Sequence, residues 1–161
     1  MKVEFVNPFI EAAREVLESE LGGEASRGNL RVHKSAYTTD EVNAVLGVAG
    51  AVSGMVLYSM SEETARGMVG KMLGQECDEF DALAQSGIGE LGNVITGRAG
   101  VLLAEAGYAS NITPPALILG KNTMLTTLDL NRLVFPLETE VGTIEIQVVL
   151  NETATRATRA A

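Results

Sequence analysis

The chain has 161 residues, 46% hydrophobic and 20% charged, values that fit one globular domain and exclude a disordered segment. Its net charge of −9, with Lys and Arg scattered and never in a run, excludes the basic patch on which nucleic-acid binding depends. A single cysteine, Cys77, and a single histidine, His33, leave no internal disulfide and no cysteine-rich zinc site.

Trp is absent and aromatics are scarce, so the core has to come from Val, Leu, Ile, Ala and Met. Asn7 reads as the N-cap of a first helix with Pro8 at its first helical position. Phe9, Ala13, Val16, Leu17 and Leu21 then recur at helical spacing until Gly22-Gly23 stops the run. Residues 29–36 read as a short strand. Residues 42–48 and 52–60 read as a hairpin around Gly50. Ser61 caps a second helix, with Glu62 and Glu63 in its first turn and an end near Gly74.

A third helix, the longest element, begins at Asp78 or Asp81 and continues to about Ala106. Residues 107–115 read as loop, closed by Pro114-Pro115. Short and then longer strands are expected at 116–120, 124–137 and 141–150, and residues 151–161 as a flexible tail outside the 1–150 domain. This order predicts one α+β domain, a mostly antiparallel sheet with long helices packed on one face.

The third helix carries the candidate site. At about 100° per residue, Ala84, Ile88, Leu91, Ile95, Ala99 and Leu102 form the core stripe. Ser86, Glu90, Asn93 and Gly97 form an opposite polar stripe about 60° wide. Glu90 and Asn93 are spaced i, i+3 and leave the same face. One supplies a negative charge, the other an amide able to orient a water molecule. No histidine base or metal-ligand cluster accompanies them, so such a pair needs a partner that brings the rest of the chemistry. Five glycines interrupt the helix (Gly87, Gly89, Gly92, Gly97, Gly100), each costing roughly 1 kcal/mol relative to Ala. Close approach of another backbone offsets such a cost, either inside the fold or, for Gly89 and Gly97, from a docked partner.

The stretch from Ser86 through Glu90 and Asn93 to Gly97, followed by Pro114 or Pro115, resembles the signature of the CheC, CheX and FliY chemotaxis phosphatases. The resemblance extends to the first helix (Asn7-Pro8-Phe9-Ile10-Glu11-Ala12) and covers most of residues 1–150. CheC-like members carry two such helices. Here the first helix reads Glu11-Ala-Ala-Arg14, with Arg14 where the second Asn would stand, which is the single-site, CheX-like condition.

The resemblance implies a CheC-like fold and hydrolysis of the phosphoaspartate of a CheY-like receiver domain. Asn93 would hold the attacking water, Glu90 would pair with the receiver's active-site lysine, and Ser86 would support the edge of the contact beside Gly89 and Gly97. Mg²⁺ would come from the receiver, with no cofactor on this chain. It also implies a homodimer joined at sheet edges. The opening MKVEFVNPF has no long apolar run and no stretch reaches the roughly 20 residues of a membrane span, so the expected location is the cytoplasm, with no membrane partner.

Two rival readings are a non-catalytic module that binds a receiver or another signalling protein, and a structural dimer whose helix motif has fallen out of use. Gly87-Ile-Gly89-Glu-Leu-Gly92 matches the bare dinucleotide fingerprint, but helical sequence precedes it where that fingerprint needs a strand and a turn.

Overall fold

The computed structural model describes residues 2–34, 37–128 and 130–154. Helix α1 is Val3–Leu21, five residues longer at its start than the Asn7 cap predicts. Asn7 is inside the helix, and Lys2 holds the N-cap position without a side-chain bond. Tertiary burial overrides the cap signal: Phe5 and Val6 are in the core, and the Phe5 ring meets Tyr108 edge-on at 4.9 Å. The Tyr108 hydroxyl donates to Glu4 Oε1 at 2.8 Å, fastening the same turn. Pro8 costs one helical hydrogen bond there and is buried. Gly22, at φ 74°, ends α1 as expected.

Two short strands follow, β1 (Ser26–Arg27) and β2 (Arg31–His33), so the strand expected at 29–36 is shorter than predicted, and residues 35–36 lie outside the described residues. Strand β3 (Tyr37–Thr38) belongs to a separate two-stranded sheet. The expected hairpin is present as β4 (Val42–Gly50) and β5 (Val52–Met60), with Leu46 opposite Val56. Helix α2 is Glu62–Leu73; the Thr64 N–H donates to Ser61 Oγ at 3.1 Å, and Gly74 closes the helix. Helix α3 is Ala82–Glu105. Of the two candidate starts Asp81 is the cap, accepting from the Ala84 N–H at 2.9 Å.

The stretch 107–115, expected to be loop, contains strand β6 (Ser110–Ile112), which pairs with the end of β4. Strand β7 (Ala116–Leu119) pairs with the start of β4. The long strand expected at 124–137 is broken into β8 (Met124–Leu125), paired with β3, and β9 (Arg132–Thr139). Local hydrogen bonds make the break. The Thr126 hydroxyl accepts from the Leu128 N–H at 3.2 Å, the Thr127 hydroxyl donates to the Leu130 carbonyl at 2.8 Å, and Leu128 has φ 54°. Such side-chain bonds compete directly with a sheet ladder. Strand β10 (Gly142–Glu152) runs two residues past the domain end expected at 150. Residues 155–161 of the expected tail lie outside the described residues.

The main sheet has the order β1-β9-β10-β5-β4-β6, with β2 also on β9 and β7 also on β4, and every pairing is antiparallel. The three helices bury their apolar stripes against one face. Phe9 and Leu17 of α1, Met68 of α2, and Ile88 and Ile95 of α3 pack with Leu46, Val56, Tyr58, Phe135, Ile146 and Val148 of the sheet. The α+β architecture read from the sequence is therefore the one observed.

Because Asp81 alone caps α3 through its side chain, Asp81→Ala is expected to lower the stability of the domain by about 1 kcal/mol. Urea denaturation checks this; an unchanged midpoint would contradict the role of that cap.

Candidate functional site

Helix α3 lies over the β4 edge of the sheet, with α1 and α2 on its other flank. Gly87 touches α2 closely: a Cβ there would stand 3.1 Å from Val69 Cγ2. Glu15 of α1 accepts from Arg98 of α3 at 2.8 Å. Toward the sheet, a Cβ on Gly92 would stand 3.3 Å from Leu46 Cδ1 and 3.4 Å from the Tyr58 ring. Among the glycines of α3, Gly92 is the one whose added Cβ would come closest to the β4–β5 hairpin.

Ala84, Ile88, Leu91, Ile95 and Ala99 are buried as the helical stripe predicts. Leu102, expected with them, is only partly buried, and Leu103 takes the enclosed position. A second buried line, Gly89, Gly92, Thr96 and Leu103, faces the sheet and the β6–β7 loop. Glycine and threonine do not register as apolar, so the stripe read from sequence covers only part of the buried surface.

What remains exposed is a narrow outer face. Ser86 and Glu90 are exposed, and Asn93 and Gly97 are partly so. Among the described residues, neither the Glu90 carboxylate nor the Asn93 amide has a hydrogen-bond or ion-pair partner. Both are therefore free to engage another molecule. Gly97 is open to solvent beside Ile112, whose Cδ1 would be 4.0 Å from an added Cβ. Gly89 is placed differently: it is buried against the Pro115 ring, 3.6 Å from an added Cβ. The loop bearing Pro115 is fixed to β4, since the Gly47 N–H donates to Thr113 Oγ1 at 2.8 Å and the Thr113 N–H donates back to Gly47 O at 3.0 Å.

The structure adds a feature that the sequence reading missed. Leu83, Val94 and Val101 are exposed by 60%, 40% and 48%. On the helix they fall within about 40° of Glu90, so an apolar strip borders the polar pair along its length. Their spacing was the available signal; the polar stripe drew attention away from it.

On α1, Glu11 and Arg14 are exposed, and Arg14 pairs with Glu18 at 3.8 Å, so this helix presents no acid–amide pair there. Among the described residues no group of three or more His, Cys, Asp or Glu side chains is arranged to hold a metal ion. A concavity of about 650 Å³ lies on α2 and the segment after it, between Glu63, Arg66, Lys71 and Cys77, and includes none of the outer-face residues. The outer face is thus exposed and carries an acid and an amide with no partner among the described residues.

The chain is similar to known proteins over most of its length. Residues 42–138 match the family chemotaxis phosphatase CheX. A protein of Thermotoga maritima named CheY-P phosphatase CheX is 33% identical over 123 residues, covering 76% of this chain and 79% of that protein. The chain belongs to the CheX family. A CheC-like superfamily protein from Shewanella sp. PV-4 superposes with a TM-score of 0.85 at 27% identity, over 94% of this chain and 99% of that one. The CheX of a CheX–CheY–BeF₃–Mg²⁺ complex from Borrelia burgdorferi does so with a TM-score of 0.81 at 28% identity, over 94% and 100%. The CheC-like fold and the family expected from the helix motif are those found. Among the described residues of this CheX-family chain, no helix is long and apolar enough to cross a membrane.

The two kinds of glycine on α3 separate experimentally. Gly97→Ala meets only Ile112 at an ordinary contact distance of 4.0 Å and removes a helix penalty, so it is expected to raise stability by up to about 1 kcal/mol. Gly92→Leu forces a side chain into Leu46 and Tyr58 and is expected to cost about 1–3 kcal/mol. Denaturation midpoints measure both, and a destabilising Gly97→Ala would contradict the open placement of that residue.

Proposed function

We propose that this chain is a phosphatase for the phosphoaspartate of a CheY-like response-regulator receiver domain, acting in chemotaxis or related two-component signalling. The observation that carries the mechanism is the unpaired, outward-facing Glu90–Asn93 pair on a helix whose other faces are buried. In this reading the outer face of α3 lies against the receiver's active site. Asn93 reaches the phosphoryl group, and its amide, with one acceptor oxygen and two donor hydrogens, holds a water in line with phosphorus. The water oxygen forms the new bond to phosphorus and the bond to the aspartate oxygen breaks. Inorganic phosphate leaves and the carboxylate is restored.

Almost all of this is positioning, which is sufficient for phosphoryl transfer when the attacking geometry is held. Glu90 pairs with the receiver's lysine and sets the docking register. The receiver supplies Mg²⁺ and this chain binds no cofactor of its own; the Borrelia burgdorferi CheX–CheY–BeF₃–Mg²⁺ complex supports that division. Leu83, Val94 and Val101 supply apolar contact area beside the pair. Ser86 supports the edge, Gly97 permits close approach, and Gly89 acts by seating Pro115 beside the contact.

The protein is further proposed to be a cytoplasmic homodimer. Met124, Leu128 and Leu130 are exposed by 72%, 78% and 48%, and Val32 by 58%, more apolar surface than a lone edge usually leaves in water. A variant with both Met124→Asp and Leu128→Asp is expected to sediment as a monomer where the unaltered protein sediments as a dimer. A monomeric unaltered protein would remove the dimer from the account.

Turnover tests the main proposal. Phosphate release from a phosphorylated, Mg²⁺-loaded receiver is expected to accelerate with the unaltered chain. Asn93→Ala should lower kcat on the order of 10²-fold while still binding the receiver. Glu90→Ala should raise KM about tenfold, the effect of losing one charge-assisted bond. Binding without any acceleration by the unaltered chain would make it a receiver-binding module instead.

A further inference from the structure

One turn on from Asn93, about 60° round the helix on the side that faces the sheet, is a buried pair of hydroxyls. Tyr58 of β5 is 1% exposed and Thr96 of α3 is 0% exposed. The Thr96 hydroxyl is 2.7 Å from the Gly92 carbonyl oxygen and 2.8 Å from the Tyr58 hydroxyl oxygen. A carbonyl can only accept, so the Thr96 proton goes to Gly92. The Tyr58 proton must then go to Thr96. The result is a directed chain, Tyr58 O–H to Thr96 O–H to Gly92 C=O, running from the sheet into a single helical turn. Asn93 sits on that turn, one residue after Gly92. The Tyr58 ring also fills the space that a Gly92 side chain would occupy, so one residue of β5 both packs against the turn and bonds to it.

This arrangement is not what stability alone requires. A buried hydroxyl pair contributes little over a Phe and Val pair of the same shape. What it adds is a fixed orientation. A threonine hydroxyl bonded to the carbonyl four residues earlier often bends a helix locally, and here that bond spans the turn that carries Asn93. Burial pushes the pKa of the Tyr58 phenol well above its ordinary value, and the bond to Thr96 only partly opposes that. The donor therefore stays protonated at any pH where the protein works.

Resting on the phosphatase reading above, we infer that Tyr58 and Thr96 are positioning residues for Asn93, fixing the height and tilt at which α3 presents its amide to a docked phosphoryl group. Neither touches the substrate. Their effect is on the turnover of the docked complex, not on docking itself.

The test compares Tyr58→Phe, Thr96→Val and Thr96→Ser with the unaltered chain in the phosphate-release assay, at a temperature well below every melting midpoint. Tyr58→Phe and Thr96→Val each remove one hydroxyl at nearly constant shape and are expected to lower kcat about tenfold, a fraction of the loss from an ångström of misplacement. KM for the receiver should stay within about twofold, since the outer-face contacts are unchanged. Thr96→Ser keeps the hydroxyl and should keep kcat. The double variant should lose no more than either single one, because the chain is broken once. Variants that melt earlier but turn over at the unaltered rate would overturn the inference and leave the phosphatase reading standing. An unaltered chain that releases no phosphate would overturn the phosphatase reading, and the inference with it.

Discussion

The closeness with which α3 lies on the sheet governs the rest of this molecule. At Gly92 the helix has no side chain, and Leu46, Ala44 and Tyr58 of the hairpin come up to its backbone. Thr96, one turn on, is bonded to the same tyrosine. With its inner side seated this deeply, and with α1 and α2 against its flank, the helix buries two adjacent lines of residues. Only a narrow strip is left facing out, and Glu90 and Asn93 stand on it. A helix held further from the sheet by an ordinary side chain would tilt, and that strip would turn with it.

This explains how a chain with no metal cluster among its described residues and no histidine in the site can belong to a family of phosphatases. Hydrolysis of an acyl phosphate needs a water placed in line and charge stabilisation at the phosphoryl oxygens. In the proposed complex the second requirement is met by the receiver, and this chain meets the first. A rigid helix suits that task better than a loop, because the amide does not have to be ordered at the moment of reaction. The apolar strip of Leu83, Val94 and Val101 adds contact area without adding chemistry, consistent with a partner recognised by shape as much as by charge. The fixed loop at Thr113–Pro115 lies on the other side of the polar pair, toward the sheet, where Pro115 meets Gly89.

Much of this was legible in the residues. Ser61 and Asp81 announce their helices because a side-chain oxygen can satisfy the first free N–H groups. The β4–β5 hairpin shows as two β-rich runs around Gly50. The Glu90–Asn93 pair shows because helical periodicity sorts α3 into faces. The failures have local causes. The start of α1 is set by Phe5 packing on Tyr108, a contact across more than a hundred residues that no cap rule contains. Residues 124–137 look like one strand, yet Thr126 and Thr127 use their hydroxyls on the backbone and break it. Strand β6 sits in a proline-bounded stretch that acquires strand geometry only by pairing with β4. The second buried line on α3 is built from Gly89, Gly92 and Thr96, residues whose burial depends on how near the sheet comes and not on their own hydrophobicity.

The most direct test of the central claim, that the outer face of α3 is what meets the receiver, is a nuclear magnetic resonance titration of the isotope-labelled chain with a beryllofluoride-activated, Mg²⁺-loaded receiver. The account predicts that the largest changes fall on Ser86, Glu90, Asn93, Gly97 and the adjoining Val94 and Val101, with the 113–115 loop beside them, and that the Asn93 side-chain amide shifts with the backbone. Changes centred instead on the α2 concavity around Arg66 and Cys77, or on the far face of the sheet, with α3 unmoved, would contradict it.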